Sequence, residues 1–206
     1  MLRTANDRRI LGLDLDNTVI DYAAAYRELS RDFGLPENCE TRDAIREMLR
    51  PSSIDDEQWQ RFQSILYTDG LDFAQPAEGI LPLLEACQLS GIPVVIISHK
   101  TLKGPERFGA RDLHAPARDW LVRNGIAPGL IQASGVTFHS TAIEKVNQVA
   151  RIAPCWFVDD LEEILLMEGF PPGVCRILYR RGSPWLERAN GTVAAGFGAI
   201  MERIIT

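Results

Sequence analysis

Short apolar runs alternate with helix-length amphipathic stretches over most of this chain, and that alternation limits its possible folds more than any other feature. Arg9 to Leu15 is a first run, ending in carboxylates; others follow at Val94 to Ile97, Gly135 to Phe138, Cys155 to Val158 and Val174 to Tyr179. Between the later runs lie helical patterns at Ala115 to Asn124, Thr141 to Arg151 and Asp160 to Glu168. Strands this short and this continuously apolar are buried on both faces, so the helices that connect them must cover them. The reading is α/β: a Rossmann-like parallel sheet of about five strands with helices on both faces. Sheets of that kind bind ligands beyond the carboxyl ends of their strands, where the strand order reverses.

One region breaks the alternation. From Val19 to about Gly79 only helical patterns occur: Tyr22 to Phe33, stopped by Gly34 and Pro36; Thr41 to Leu49, stopped by Pro51; and Ser53 to Tyr67. Ser53 can cap the third, with Asp55, Asp56 and Glu57 near its positive end. Trp59, Phe62, Leu66 and Ile65 recur at helical spacing and read as core or a helix–helix seam. The stretch is too long for a βα loop of about 2–6 residues. It reads as a small α-helical cap inserted after the first strand, dividing the chain into a core of residues 1–18 and 80–206 and a cap of residues 19–79. A helix over Leu81 to Leu89 returns the chain to the sheet, and Ala194 to Thr206 reads as a terminal packing helix.

Composition removes several classes. The 206 residues, 46% apolar and 24% charged, fall in the ordinary globular range, which excludes disorder, collagen and coiled coil. With 22 basic against 28 acidic residues the net charge is −6, so neither nucleic acid nor an anionic membrane is an expected partner, although a local basic pocket is compatible with it. No apolar run approaches the ~18 residues of a bilayer crossing, and Met1 to Arg9 holds no apolar signal core. Cys39, Cys87, Cys155 and Cys175 lie far apart without a CxxC pair and read as reduced thiols. The expected compartment is the cytoplasm. Oligomeric state has no signature in the sequence.

The chemistry collects at the ends of the apolar runs. Alternation along a strand puts Asp14 and Asp16 of Asp14-Leu15-Asp16-Asn17-Thr18 on one side, where the chain leaves the sheet. Two carboxylates held together require a cation or a shared proton. Three other runs end in suitable partners: Ser98-His99-Lys100-Thr101, then Ser140 and Thr141 with Lys145 at a helix start, then Asp159-Asp160 with Glu163 a turn later. Paired acids suit a hard divalent cation, while a lysine and a hydroxyl suit phosphate oxygens. The ensemble describes a magnesium-assisted phosphoryl-transfer site. Asn17, His99, Lys100 and Asp21 are further candidates for touching substrate. Lys100 and Lys103 compete with Lys145 for the phosphate-side lysine, which the position after the third strand assigns to Lys145. Lys103, Arg107, Arg111 and His114 extend His99 and Lys100 into a basic loop, either a seat for a second substrate anion or, the reading favoured, a solvated face.

The set LDLDNT, VVIISHK, Lys145 before a helix, and FVDDLEEI resembles the four motifs of the haloacid dehalogenase-like superfamily of hydrolases, in that family's order over residues 10 to 165. The resemblance implies that Asp14 is a nucleophile forming an aspartyl-phosphate and that Asp16 protonates the leaving alcohol and then deprotonates water. Ser98 would hold a phosphoryl oxygen and Lys145 would stabilise the charge-dense transition state. Mg²⁺ would be held by Asp14, the backbone carbonyl of Asp16, and Asp159, with Asp160 a ligand or its supporting partner and Glu163 a weaker candidate. An acid at position 16 favours a phosphatase over a dehalogenase or a cation-pumping ATPase. The expected activity is Mg-dependent hydrolysis of a small phosphorylated metabolite. Alternatives are a phosphotransferase or phosphonatase on the same scaffold, a signalling receiver domain, or a non-catalytic relative; the receiver would carry its accepting Asp on the third strand, where this chain has Ser and Thr.

Overall fold

The computed structural model describes residues 9–36, 39, 41–49 and 56–205. Strand β1 (Leu11–Leu13) leads through a tight turn into β2 (Ile20–Asp21). In that turn the Val19 and Ile20 amides both donate to the Leu15 carbonyl at 2.9 Å, and Asn17 takes a left-handed φ of +57°. Asparagine tolerates that conformation better than most residues with a side chain. Helices α1 (Ala23–Asp32), α2 (Arg42–Leu49) and α3 (Glu57–Leu66) follow, then a 3₁₀ turn (Asp69–Asp72). The chain returns in β3 (Gln75–Pro76), which pairs antiparallel with β2, so the helical stretch leaves and re-enters through one two-stranded ladder. Trp59, Phe62 and Leu66 of α3 are buried, and the Phe62 ring lies 5.1 Å from Phe33 and 6.1 Å from Trp59. The apolar stripe is thus a seam between helices.

The remaining elements are α4 (Ile80–Leu89), β4 (Val94–His99), α5 (His114–Arg123), β5 (Val136–His139), α6 (Ala142–Ile152), β6 (Trp156–Asp159), α7 (Glu162–Leu165), β7 (Cys175–Tyr179), β8 (Leu186–Glu187), β9 (Thr192–Ala195) and α8 (Phe197–Ile204). The main sheet runs β5-β4-β1-β6-β7-β9-β8, parallel throughout except where β8 meets β9. The order in which strands are added reverses between β1 and β6, so the ligand-binding crevice of such a fold falls beside Asp14 and Asp159. Numbered within the sheet, the first five strands run 3-2-1-4-5, whereas a receiver-type sheet runs 2-1-3-4-5. At the centre, Gly12 sits opposite Val95 and Phe157, and a Cβ there would come within 2.7 Å of the Phe157 ring. Alternation along β6 sends Val158 to a core with α4, α5 and α8, and Phe157 to a second core with Val146, Val149, Ile164 and Leu165.

Four details depart from the sequence expectation. Residues 19–79, read as helical throughout, also hold the two-residue strands β2 and β3, too short to carry a period-two signal. The sheet has seven strands where about five were expected. Thr192–Ala195 is a strand within a stretch read partly as helix, because Gly196 lets the backbone pass Gly182 closely and turn; a Cβ on Gly196 would stand 2.9 Å from the Gly182 nitrogen. The helix expected over Asp160 to Glu168 is a single turn, Glu162–Leu165, because Leu161 before it is still extended; Gly169 at φ +87° and Pro171-Pro172 keep it from resuming. The Ser53 cap lies outside the described residues, among which α3 begins at Glu57. No described helix is long and apolar enough to cross a membrane. All four cysteines are free thiols, with Cys39 and Cys87 buried.

Candidate active site

Asp14 continues the β1 ladder, its amide donating to the Val158 carbonyl at 2.8 Å, and the residue is 5% exposed. Asp159 ends the neighbouring β6 and is fully buried. Lys145 reaches both from α6, donating to Asp14 Oδ1 at 2.5 Å and to Asp159 Oδ2 at 2.6 Å. The start of α6 is fixed by a capping box: the Glu144 amide donates to Thr141 Oγ1 at 3.1 Å while the Glu144 carboxylate accepts from the Thr141 amide at 3.2 Å. Lys145 follows Glu144 directly, so the cap sets where the ammonium enters the site.

The electrostatics are those of a site short of positive charge. Burial pushes the Asp14 carboxyl up to about 7; Lys145 opposes the rise, while Asp159 and Asp16 add to it. Burial likewise holds Asp160 well above the ordinary carboxylate range, with Asp14 and Asp159 reinforcing it. Burial alone would lower the Lys145 pKa, but Asp14 and Asp159 outweigh it and hold the ammonium above its usual value. Asp14, Asp159 and Asp160 can each offer an oxygen within 4.8 Å of the others. An all-oxygen, acid-rich set of this kind fits a hard divalent cation. The Asp16 carboxylate is not part of that cluster.

Asp16 is instead held from the other side. The Tyr22 hydroxyl donates to its Oδ1 at 2.6 Å, and Lys100 Nζ lies 2.9 Å from its Oδ2 and 4.0 Å from the centre of the Tyr67 ring. The Tyr26 hydroxyl donates to Asn17 Oδ1 at 2.8 Å. Tyr22 and Tyr26 are one helical turn apart, so the first turn of α1 grips the turn after β1. Ser98 is fully buried at the end of β4, and its Oγ has no hydrogen-bond partner among the described residues.

A cavity of about 300 Å³ opens over these groups, walled by Asp14, Asp16, Asn17, His99, Lys100, Lys145 and Asp160 from the sheet side and by Arg42, Gln60, Gln63 and Tyr67 from the helical side. Most of the sequence-derived candidates therefore meet in one place. Ser98 is buried and is not among the residues that line it. Asp21 is not brought in: it accepts from the Ala23 amide at 2.8 Å at the start of α1 and faces a neighbouring cavity. Glu163 is exposed on α7 and lines neither. Most of the basic loop ties elements together: Arg107 donates to Gln60 at 2.6 Å, Arg111 grips Asp69 at 2.7 and 2.5 Å, and His114 Nε2 lies 2.8 Å from the Lys100 carbonyl. Lys103 pairs through its backbone with Asp112. Sequence reasoning missed Tyr26, Arg42, Gln60, Gln63 and Tyr67. The four-residue spacing of Tyr22 and Tyr26 just after the first acidic motif was the only local signal.

No protein-family model matches the chain, and no curated protein matches it. Solved structures do. The chain is similar to Protein Tyrosine Kinase A of Mycobacterium tuberculosis, with a TM-score of 0.62 and 19% identity over 95% of this chain and 98% of that one. A predicted phosphatase from Clostridium acetobutylicum gives a TM-score of 0.59 at 12% identity over 96% and 98%. A HAD family hydrolase from Deinococcus radiodurans, solved with bound phosphate and sodium, gives 0.55 at 12% over 95% and 93%. These likenesses establish the haloacid dehalogenase-like α/β fold for this chain.

Proposed function

We propose that this protein is a phosphomonoester hydrolase acting on a small phosphorylated metabolite through a phospho-aspartate on Asp14. The observation that carries the reading is the buried Asp14–Lys145–Asp159 bridge at a strand-order reversal, with Asp160 alongside. Asp14 attacks phosphorus and the ester oxygen leaves; splitting one displacement into two eases each. Lys145 is positioned to stabilise charge gathering on the phosphoryl oxygens, and Ser98, whose Oγ is unpartnered, supplies a further donor. Asp16, held by Tyr22 and Lys100, gives a proton to the departing alcohol and takes one from the water that cleaves the intermediate; such help is typically worth about 10²–10⁴ in rate. Asp14, Asp159 and Asp160, with the Asp16 carbonyl, would hold Mg²⁺, which when bound neutralises the acids and polarises the phosphoryl group. Residues 19–79 act as a cap that contributes Arg42, Gln60, Gln63 and Tyr67 to the cavity and excludes water. The cavity lies at the small end of the roughly 300–1,000 Å³ range of organic-ligand sites, which suits a metabolite. The proposed setting is the cytoplasm.

A second reading is phosphoryl transfer to an acceptor other than water, favoured by the likeness to a protein tyrosine kinase. One experiment separates them. With an aryl phosphate and magnesium, and no added acceptor, the hydrolase turns over repeatedly, EDTA stops it, and Asp14→Asn abolishes it while circular dichroism stays native. A folded Asp14→Asn protein with substantial activity overturns the nucleophile; a single stoichiometric phosphorylation without turnover favours transfer.

A further inference from the structure

Three cationic side chains wall the cavity over Asp14: Arg42, Lys100 and Lys145. Two are committed. Lys145 bridges Asp14 and Asp159, and Lys100 is paired with Asp16. Arg42, the first residue of α2, has no hydrogen bond or ion pair among the described residues; Tyr67, Asp160 and Tyr26 are its electrostatic neighbours. A guanidinium drawn half out of water calls for planar acceptors, and it suits a carboxylate or phosphate in a bidentate pair.

Arg42 also borders the neighbouring cavity, of about 430 Å³, sharing that boundary with Asn17, Asp160 and Leu161. Behind it stand Arg180 and Arg181. Arg181 is taken up by Glu78 and Asp21. Arg180 has no carboxylate partner among the described residues: one of its Nη1 bonds goes to the Asp160 carbonyl at 3.2 Å and another to the Tyr179 carbonyl at 2.8 Å. Neither Arg42 nor Arg180 has a carboxylate hydrogen bond or ion pair among the described residues; Asp160 and Asp43 are the acids nearest Arg42 in effect, and of the two arginines Arg42 alone walls the cavity that Asp14 faces.

We propose that Arg42, backed by Arg180, is a subsite for a second oxyanion of the substrate, so that the preferred substrate is a short phosphomonoester bearing a further carboxylate or phosphate. This rests on the hydrolase reading and narrows its substrate class. Phosphate oxygens belong at Lys145, and the second anion reaches across to Arg42 in the same cavity. Phosphates of uncharged alcohols fill the first position and leave the second empty.

Three esters on one carbon skeleton test it in magnesium chloride: propyl phosphate, 3-(phosphonooxy)propanoate and propane-1,3-diyl bisphosphate. The last two separate carboxylate from phosphate as the second group. In the wild type kcat/KM for at least one doubly anionic ester exceeds that for propyl phosphate by about tenfold or more, the size of one charge-assisted contact. In Arg42→Met that ratio falls to near one, and Arg42→Lys retains part of it, which shows a folded site with a poorer fork. Because the readout is a ratio within one preparation, lost protein does not imitate the effect. A ratio near one in the wild type, or one that survives in Arg42→Met, overturns the subsite. Calorimetric titration of Asp14→Asn protein with the same esters gives a second readout that needs no turnover. Binding about tenfold tighter for a doubly anionic ester, lost on adding Arg42→Met, supports the subsite even if no ester is hydrolysed and the hydrolase reading fails; equal binding of all three overturns it.

Discussion

Burying an ammonium between two carboxylates is favourable only while all three remain together, since removing one partner strands the others in a low-dielectric interior. Lys145 with Asp14 and Asp159 is such a group, each member 5% exposed or less. Lys145→Met is expected to lower stability in EDTA by about 3–5 kcal/mol and to be partly rescued by excess Mg²⁺; urea unfolding measures both, and an unchanged midpoint would contradict the bridge. Asp14 and Asp159 were legible in the sequence because each ends an apolar run and so falls at a sheet end, and Lys145 because it lies at the start of the helix after one. Arg42 and Tyr67 were not. Their place over the site depends on how the helical stretch packs on the sheet, which no local pattern encodes. Asp21, which the sequence left equally open to a substrate contact or a capping role, accepts from the Ala23 amide at the start of α1.

Helix α6 joins local chemistry to the site. Its Thr141–Glu144 box satisfies amides that would otherwise lack partners, and Lys145 leaves the helix beside that box. Thr141→Ala should cost about 1 kcal/mol by denaturant unfolding and should also lower kcat; loss of stability with no change in kcat would separate the cap from the lysine. The loop after β4 is fastened differently, by Arg111 on Asp69. The Arg111 hydrogen bond holds the Asp69 carboxyl below its ordinary range. Its contribution is complete above the unfolded value of about 3.9 and disappears as pH falls through the lower folded value. Arg111→Met is thus expected to cost under about 1 kcal/mol near neutrality, with the gap from wild type closing in acid; a gap that widens in acid is incompatible with this pairing. Elements were read well where apolar runs were long. They failed at Leu186–Glu187, whose two exposed residues carry no strand signal, and over Thr192–Ala195, where Thr-Val-Ala-Ala before glycine fits strand or helix.

At the scale of the molecule, the helical stretch and one face of the sheet share a continuous apolar core beside an acid-rich cavity. A cation that binds only the assembled site raises stability by mass action, about 2.7 kcal/mol at a hundred times its Kd. Thermal melting should therefore rise with magnesium in wild-type protein and not in Asp159→Asn; equal shifts in both would place the ion elsewhere. The α/β class and the helical insertion were legible from alternation and its interruption. The strand order was not, since nothing local tells which strand lies beside which. The β2–β3 ladder straps both chain crossings side by side through two rungs, Ile20 with Pro76 and Asp21 with Gln75. The strap is not what alone holds the helices to the sheet: Arg107 on Gln60, Arg111 on Asp69 and the Trp120 indole on the Ala74 carbonyl fasten them on the far side, over an apolar core common to both.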